Sequence, residues 1–134
     1  MSNALATTLR LPNLIVIGVS KAGTSSLFEY LGRHPEVDLS DVKEVRYFTP
    51  LRHGQELAPL VDYAQHFADC DKRYAVEATP GYFYGGRKLA SVMRSCHQPR
   101  VVVSLRDPIS RCWSWYRFEK SRLRVPKRLA QYIA

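Results

Sequence analysis

At 134 residues, 46% of them hydrophobic, the chain is long enough for one domain with a sizeable core, and no apolar run is long enough for a membrane span. Its three cysteines have no CxxC spacing, which disfavours a zinc site or a disulfide framework and, with no secretory signal in view, predicts a reducing, cytoplasmic location. The formal net charge of +8, from 20 Lys and Arg against 12 Asp and Glu, favours a polyanionic partner, although a generally basic surface gives the same total.

The first two predicted elements flank a glycine-containing loop. Leu14–Gly18 is an apolar and mostly β-branched run, which is typical of a buried parallel strand. A helix should begin near Thr24 or Ser25, whose hydroxyl groups suit an N-cap, and it should end near Leu31 because Gly32 follows. Helical spacing then predicts which side chains face the core, namely Leu27, Tyr30 and Leu31.

The rest of the chain continues the alternation of strands and helices. We expect a short extended piece at Val45–Phe48, a short helix at Val61–Phe67 and a strand at Tyr74–Ala78. A helix at Arg87–Cys96, a strand at Arg100–Leu105 and a helix at Ile109–Ser121 should follow. This alternation predicts an α/β fold, a P-loop-like three-layer domain whose central parallel sheet is flanked by helices. In such sheets, ligands bind beyond the carboxyl ends of the strands.

The loop after the first strand lies in the stretch IVIGVSKAGTSS, residues 15–26. Gly18 and Gly23 are spaced as in a P-loop, but Thr24 stands where the P-loop lysine belongs, and Lys21 lies inside the loop. Glycines allow a tight turn and a close approach of the backbone to an anion, and the amides at a helix start favour negative charge. The stretch therefore predicts a phosphate site, although a plain strand–helix turn with an incidental lysine has the same outline.

A second anion site is indicated by SLRDPISRCWSWYRF, residues 104–118. Arg106 follows the predicted strand, and Ser114 lies two turns into the next helix. A guanidinium and a hydroxyl that converge in this way can bind a second phosphate group. The alternatives are a Walker B-like strand, suggested by VVVSLRD, and an ordinary apolar helix face formed by Ile109, Cys112, Trp113 and Tyr116.

Together these stretches resemble the PAPS-dependent sulfotransferases, and in particular the glycan-modifying branch related to heparan sulfate sulfotransferases. IGVSKAGTSSL is similar to the loop that binds the 5′-phosphosulfate in that family, and RDPISRCWSWY is similar to its 3′-phosphate motif. Between them, KEVRYF (residues 43–48) resembles the segment with the catalytic base, and VEATPGYFY (residues 76–84) resembles an acceptor-side E-x-T-P-x-Y stretch. The matches keep the family's order over most of the chain.

The resemblance implies roles for individual residues. Lys21 would lie beside the oxygen that bridges the sulfuryl group and the 5′-phosphate, and Glu44 would be the general base for the acceptor. The 5′-phosphosulfate would be bound by the amides and hydroxyls of Ala22, Gly23, Thr24, Ser25 and Ser26. The 3′-phosphate would be bound by Arg106 and Ser114. Weaker candidates on the acceptor side are Lys43, Arg46 and Glu77.

The function implied by the resemblance is transfer of a sulfuryl group from PAPS to a hydroxyl, or less often an amine, of a carbohydrate-like acceptor or small alcohol, with PAP as product. No metal and no nucleic-acid partner are expected. Two alternatives remain open: a P-loop kinase or NTPase, and a truncated domain that binds a nucleotide or polyanion without turnover. Because family domains continue well past the Arg/Ser motif, residues 1–134 are expected to be the N-terminal portion of a single sulfotransferase-like domain, completed by a further segment or another chain.

Overall fold

A parallel sheet organises the computed structural model, which describes residues 9–96, 98–124 and 128–129. Within those residues the sheet has four strands in the order β2–β3–β1–β4. All three pairings are parallel, and Leu14 lies opposite Val76 on one side and Arg100 on the other. The strands are β1 (Leu14–Gly18), β2 (Val37–Leu39), β3 (Tyr74–Ala78) and β4 (Arg100–Val103).

Helices connect the strands and follow the last one. In the described part of the chain they are α1 (Thr24–Leu31), α2 (Leu60–Gln65), α3 (Gly86–Cys96) and α4 (Pro108–Ser121). Two 3₁₀ segments, Thr49–His53 and Pro80–Gly85, complete the set. The strands β1, β3 and β4 are each followed by a loop or 3₁₀ segment and then by a helix, as parallel strand connections require.

Apolar clusters cover both faces of the sheet. Neighbouring strand residues point to opposite faces, and accordingly Ile15 packs with Phe48 and Tyr63 while Val16 packs with Phe28 of α1. The first cluster also takes side chains from α3 and from the 3₁₀ segment after β3. Helices therefore flank a central parallel sheet, and the predicted α/β fold of three layers is confirmed.

Several predicted elements have the observed bounds. The strands β1 and β3 and the helix α1 begin and end where the sequence predicts, and α4 starts one residue earlier, at Pro108. The predicted strand Arg100–Leu105 ends at Val103, and the three-residue strand β2 is too short for any periodic pattern to predict.

Two predictions about local structure are wrong. The short extended piece expected at Val45–Phe48 is absent, because Arg46 has a φ of 61° and residues 47 and 48 form a turn. The amides of Arg46 and Phe48 donate to side-chain hydroxyls. On α1, Leu27 and Leu31 pack against the core as predicted, but Tyr30 is 63% exposed, and Thr24 and Phe28, one turn apart, are buried. The side of α1 that faces the sheet is therefore rotated slightly from the predicted side.

Hydrogen bonds continue past the carboxyl ends of three strands. Ser104 N donates to Gly18 O at 2.7 Å, and Val19 N donates to Ser104 O at 2.9 Å, so the loops after β1 and β4 are joined. Thr79 N donates to Val16 O at 3.1 Å, which adds the loop after β3. All three loops consequently meet at one edge of the sheet.

Gly18 allows this convergence to be tight. Its φ is +152°, and a Cβ at this position would lie 2.8 Å from Phe83 Cβ and 3.0 Å from Pro80 O. The 3₁₀ segment after β3 can lie against the end of β1 only because Gly18 has no side chain.

Candidate functional site

A cavity of about 950 Å³ lies at the carboxyl edge of the sheet. Its walls come from the loop after β1, residues 43–46, the end of β3 and helix α4. This volume suits a nucleotide-sized ligand, since small-molecule pockets usually have about 300–1,000 Å³. The lining is strongly cationic: against Glu44 and Glu119 it has Lys21, Lys43, Arg46, Arg52, Arg106, Arg111, Arg122 and Arg124.

The loop between β1 and α1, residues 19–23, is called the anion loop below. Lys21 and Gly23 both have positive φ, at 67° and 80°, and a Cβ on Gly23 would meet nothing within 4 Å. The first bond within α1 runs from Leu27 N to Gly23 O at 3.0 Å, so the amides of residues 24–26 have no partner inside the helix. With no acidic residue in the first turn, this arrangement fits an anionic group such as a phosphate.

The carbonyl groups of the anion loop are bound from the β4 side. Ser104 Oγ donates to the carbonyl of residue 22 at 2.6 Å, Arg106 Nη1 to that of residue 21 at 3.2 Å, and Arg111 Nε to that of residue 20 at 3.0 Å. Three successive carbonyls are thus occupied by two donors from the loop after β4 and one from α4. These contacts fix the loop's backbone before any ligand is considered.

The side chain of Lys21 lies against helix α4. Its Nζ is 4.5 Å from the ring centroid of Phe118, and the Arg122 guanidinium is 4.1 Å from the same ring. Cations over an aromatic face are attracted to it, so Phe118 holds two positive groups beside the cavity. The predicted lysine therefore faces the cavity and has a defined position.

The two residues predicted for a second phosphate are brought together. Arg106 and Ser114 both line the main cavity, and they share a smaller recess with Lys21, Ser110 and Arg117. Arg106 is exposed and Ser114 is half-buried. The smaller recess is therefore a second cationic position next to the anion loop.

Not every residue predicted for the anion loop lines the cavity. Lys21, Gly23, Thr24 and Ser25 do, whereas Ala22 and Ser26 are not among its lining residues. The amide of Ala22 donates to Val19 O at 3.2 Å, inside the loop itself.

Glu44 lies in the segment of residues 43–48, called the base loop below. Lys43 Nζ donates to Glu44 Oε1 at 2.9 Å, and Arg46 Nη2 donates to Oε2 at 2.6 Å. All three residues line the cavity. Partial burial by itself would raise the pKa of Glu44, but the hydrogen bonds from Lys43 and Arg46 outweigh it and the pKa is lowered. Glu44 is therefore an ionised carboxylate with its oxygens in the cavity.

Glu77 is not brought to the cavity. It is completely buried in β3, where Thr79 Oγ1 and Tyr82 OH donate to Oε1 at 2.7 and 2.8 Å and Tyr63 OH donates to Oε2. Burial raises the pKa of Glu77, and the hydrogen bonds from the three hydroxyl groups oppose this rise. Of the three predicted acceptor-side residues, only Lys43 and Arg46 reach the cavity.

Sequence reasoning does not single out Arg111 and Tyr84. Besides its bond to Ser20 O, Arg111 donates to Tyr84 OH, and the Arg52 guanidinium lies 5.3 Å from the Tyr84 ring centroid. The one signal for Arg111 is a cation between the apolar residues Ile109 and Cys112, on a helix that follows a strand end. Tyr84 has no comparable signal.

The described residues contain neither a candidate metal site nor a candidate membrane span. No group of three or more His, Cys, Asp or Glu side chains within residues 9–96, 98–124 and 128–129 could hold a metal ion. Across the same ranges, no helix has the length and apolar character needed to cross a membrane.

Comparison with curated proteins gives sulfotransferases, although no family model matches the chain. The membrane-associated sulfotransferase kil1 of Dictyostelium discoideum is 34% identical over 115 residues, which are 82% of this chain and 23% of kil1. Heparan sulfate glucosamine 3-O-sulfotransferase 3B1 of Homo sapiens is 32% identical over 107 residues, 80% of this chain and 26% of that protein. The chain thus spans about a quarter of the length of these relatives.

A solved structure gives the same result. The crystal structure of a sulfotransferase from Alicyclobacillus acidocaldarius superimposes with a TM-score of 0.77 and 26% identity, over 90% of this chain and 54% of that one. The resemblance to sulfotransferases predicted from the motifs is therefore confirmed in both sequence and fold.

The cytoplasmic location predicted from the cysteines is wrong. One of the matching relatives, kil1, is named as a membrane-associated protein. The cysteines are free and only partly buried in the structure. Three unpaired cysteines without a recognisable spacing do not identify a compartment.

Proposed function

We propose that this chain provides the donor site and the general base of a sulfotransferase, which moves a sulfuryl group from PAPS to a hydroxyl group of a carbohydrate-like acceptor. The observation that carries the proposal is one cationic cavity lined by Lys21, Glu44, Arg106 and Ser114. Its similarity to sulfotransferases supports the same reading. An amine acceptor is the less favoured variant.

PAPS is written here as a substrate that supplies an activated sulfuryl group. Its 5′-phosphosulfate would be bound by Lys21 and by residues 23–26, through the unpaired amides and the hydroxyls at the start of α1. Its 3′-phosphate would be bound by Arg106 and Ser114 in the smaller recess. Ser26 would take part through its amide, since its side chain does not line the cavity, whereas the amide of Ala22 already donates to Val19 O.

The proposed reaction is an in-line displacement at sulfur. The acceptor oxygen forms the new O–S bond while the bond between sulfur and the bridging oxygen breaks, and PAP leaves with the electron pair of that bond. Glu44 takes the proton of the acceptor hydroxyl, a role for which its ionised state is suited. Lys21 stabilises the negative charge that grows on the departing phosphate.

The cations of the base loop, together with the nearby Arg52, would select the acceptor. Lys43, Arg46 and Arg52 line the same cavity as Glu44, so an acceptor with carboxylate or sulfate groups would be favoured. The human relative is named for heparan sulfate, which is a glycan with such groups. A carbohydrate with acidic substituents is therefore the proposed substrate class.

Residues 1–134 are proposed to form a single domain that works together with further polypeptide. The structural relative is nearly twice as long as the part that matches. At the β4 edge, exposed apolar side chains offer a surface for that polypeptide: Val101, Val103, Leu105 and Ile109. Covering this edge would also exclude water from the neighbouring cavity, which sulfuryl transfer requires.

The test is a transfer assay with radiolabelled PAPS on a panel of sulfatable glycans and small alcohols. It is run once with the 134-residue chain alone and once with this chain plus the part of a longer homologue that extends beyond the matched region. Labelled ester in either reaction supports the proposal, and the supplemented reaction should be the faster one. Turnover of ATP–Mg together with no transfer from PAPS in either reaction would favour a P-loop kinase or NTPase.

A further inference from the structure

The base loop has a strained backbone that something must hold. Glu44 and Arg46 have φ values of 62° and 61°, in the left-handed region that residues with a Cβ seldom occupy. Such conformations persist only where the surrounding structure determines them. The question is therefore which contacts determine the shape of the base loop.

Three backbone amides anchor this loop, at every second residue. Glu44 N donates to the carbonyl of Ala78 at 3.1 Å. Arg46 N donates to Thr79 Oγ1 at 3.2 Å, and Phe48 N donates to Tyr82 OH at 3.3 Å. Two of the three anchors are thus side-chain hydroxyl groups from the chain that follows β3.

A hydroxyl group can serve as an anchor only if its own hydrogen points elsewhere. A hydroxyl has one hydrogen, which must point away from any amide that donates to its oxygen, and a fixed acceptor for that hydrogen holds the hydroxyl in this orientation. Thr79 and Tyr82 both give theirs to Oε1 of Glu77, at 2.7 and 2.8 Å. The lone pairs of both oxygens are then left for the amides of Arg46 and Phe48.

Resting on the proposed role of Glu44, we propose that the buried carboxyl group of Glu77 is a positioning element, which orients the hydroxyls of Thr79 and Tyr82 so that they hold the base loop in place. Glu77 does not reach the cavity and touches no reacting atom. It acts on the reaction by fixing the backbone on either side of the base. The buried carboxyl group in β3 thus has a role in addition to packing.

The variants separate this role from a general effect on stability. Glu77→Met removes the acceptor for both hydroxyls, and Thr79→Val removes only the hydroxyl that holds the Arg46 amide. Glu77→Gln keeps one carbonyl oxygen that can accept from Thr79 and Tyr82, so it is the conservative rescue. Asp38→Asn is the matched control. Asp38 lies in β2, and its Oδ2 accepts from the amides of residues 71 and 72, which precede β3.

The first measurement is amide hydrogen exchange of the folded protein, which does not depend on catalysis. In Glu77→Met and Thr79→Val, exchange in residues 43–48 should rise about tenfold or more while β1 and β3 keep their protection. Glu77→Gln should stay close to the wild type, and Asp38→Asn should leave residues 43–48 unchanged. The proposal would be overturned if residues 43–48 kept their wild-type protection in Thr79→Val. It would also be overturned if Glu77→Met and Thr79→Val both lost protection equally throughout the sheet.

The second measurement separates this proposal from the proposed function. If the wild type transfers sulfate, Thr79→Val should lower kcat while PAP binding, measured by calorimetry, is unchanged. An equal loss of kcat and of PAP binding in that variant would count against the positioning role. If the wild type shows no transfer either alone or in the supplemented reaction, the proposed function fails, and hydrogen exchange still decides whether Glu77 orders the base loop.

Discussion

Arg46 contacts one oxygen of Glu44 with two of its nitrogens, Nη2 at 2.6 Å and Nε at 3.2 Å from Oε2. Lys43 occupies the other oxygen. Both cations stabilise the ionised carboxylate, and the pKa of Glu44 is lowered although partial burial works against this. A base held in this way stays deprotonated at neutral pH, and an acceptor must displace part of this pairing to reach it.

The pH dependence of the reaction should therefore respond to Arg46. A base that must be ionised supports activity above its pKa, and activity falls as the pH drops through that pKa. Arg46→Met removes a contact that lowers the pKa of Glu44, so the acid limb of kcat/KM should move to higher pH. Arg52→Met, which removes a cavity cation that stacks on Tyr84, is the control and should leave the limb in place. An acid limb of Arg46→Met that coincides with the wild-type limb would contradict the proposed pairing.

Nucleotide choice should depend on the recess beside the anion loop. A ligand without a 3′-phosphate leaves Arg106 and Ser114 without their partner, so PAP should bind about tenfold or more tighter than ADP, without magnesium. Arg106→Met should remove most of this difference, whereas Lys88→Met, on the exposed side of α3, should not. Isothermal titration calorimetry measures each affinity. A wild-type preference for ATP–Mg over PAP would refute the sulfotransferase reading.

The two proposed catalytic residues should have separable effects. Glu44→Gln removes the base and keeps the size of the side chain, so kcat should fall about 10²- to 10⁴-fold while PAP affinity stays unchanged. Lys21→Met should weaken PAP binding and lower kcat together, because its charge faces both substrate and leaving group. Glu119→Gln, the other carboxylate of the cavity, is the matched control and should retain turnover. Full kcat in Glu44→Gln would exclude Glu44 as the base.

Arg111 should matter for donor binding through the backbone of the anion loop. It donates to Ser20 O at 3.0 Å and to Tyr84 OH, so it joins the loop to the 3₁₀ segment after β3. Arg111→Leu should weaken PAP binding about tenfold, and Arg111→Lys should rescue little, because lysine lacks the planar fork that makes both contacts. Arg94→Leu, at an exposed position on α3 that does not line either cavity, supplies the comparison. PAP affinity in Arg111→Leu equal to that of the wild type would show that the loop keeps its shape without this contact.

Gly18 should tolerate no side chain. An alanine Cβ would meet Phe83 Cβ at 2.8 Å and Pro80 O at 3.0 Å, and the backbone is already at a φ of +152°. Gly18→Ala should lower the free energy of unfolding by about 1–3 kcal/mol, as overpacked sites do. Gly81→Ala, where a Cβ meets nothing within 4 Å, is the control. Urea denaturation followed by circular dichroism measures both, and equal stabilities would mean that the segment at Pro80 moves away without cost.

The parts of the fold that the sequence predicts are those with a strong local signal. Leu14–Gly18 and Tyr74–Ala78 are apolar runs bounded by turn residues, and their observed bounds agree with the prediction. Thr24–Leu31 ends before Gly32 as predicted, but its N-cap is Gly23 and not the hydroxyl group of Thr24 or Ser25. The location of the anion loop can be predicted from these elements, because the loop connects the first strand to the first helix.

The parts that the sequence does not predict depend on contacts between distant segments. Glu77 alternates with Val76 and Ala78 like any strand residue, and nothing near it in sequence shows that Tyr63 from α2 will donate to it. The sequence after Glu44 predicts an extended piece. The backbone there is instead held by hydroxyl groups more than 30 residues away in sequence, which accept from the amides of Arg46 and Phe48. Arg111 is one of many arginines until the fold brings it to Ser20.

The three carbonyl contacts of the anion loop also impose an order on how the protein is made. Their donors, Ser104, Arg106 and Arg111, follow the loop by 82, 85 and 91 residues. A ribosome releases the loop and α1 long before it releases those donors, so early in synthesis the loop has its glycines and its lysine but no clamp. Contacts of such sequence separation form late, since loop closure must come before they contribute. The anion site is thus completed only after β4 has joined the sheet, and a nascent chain that stalls before residue 104 carries the motif without the site.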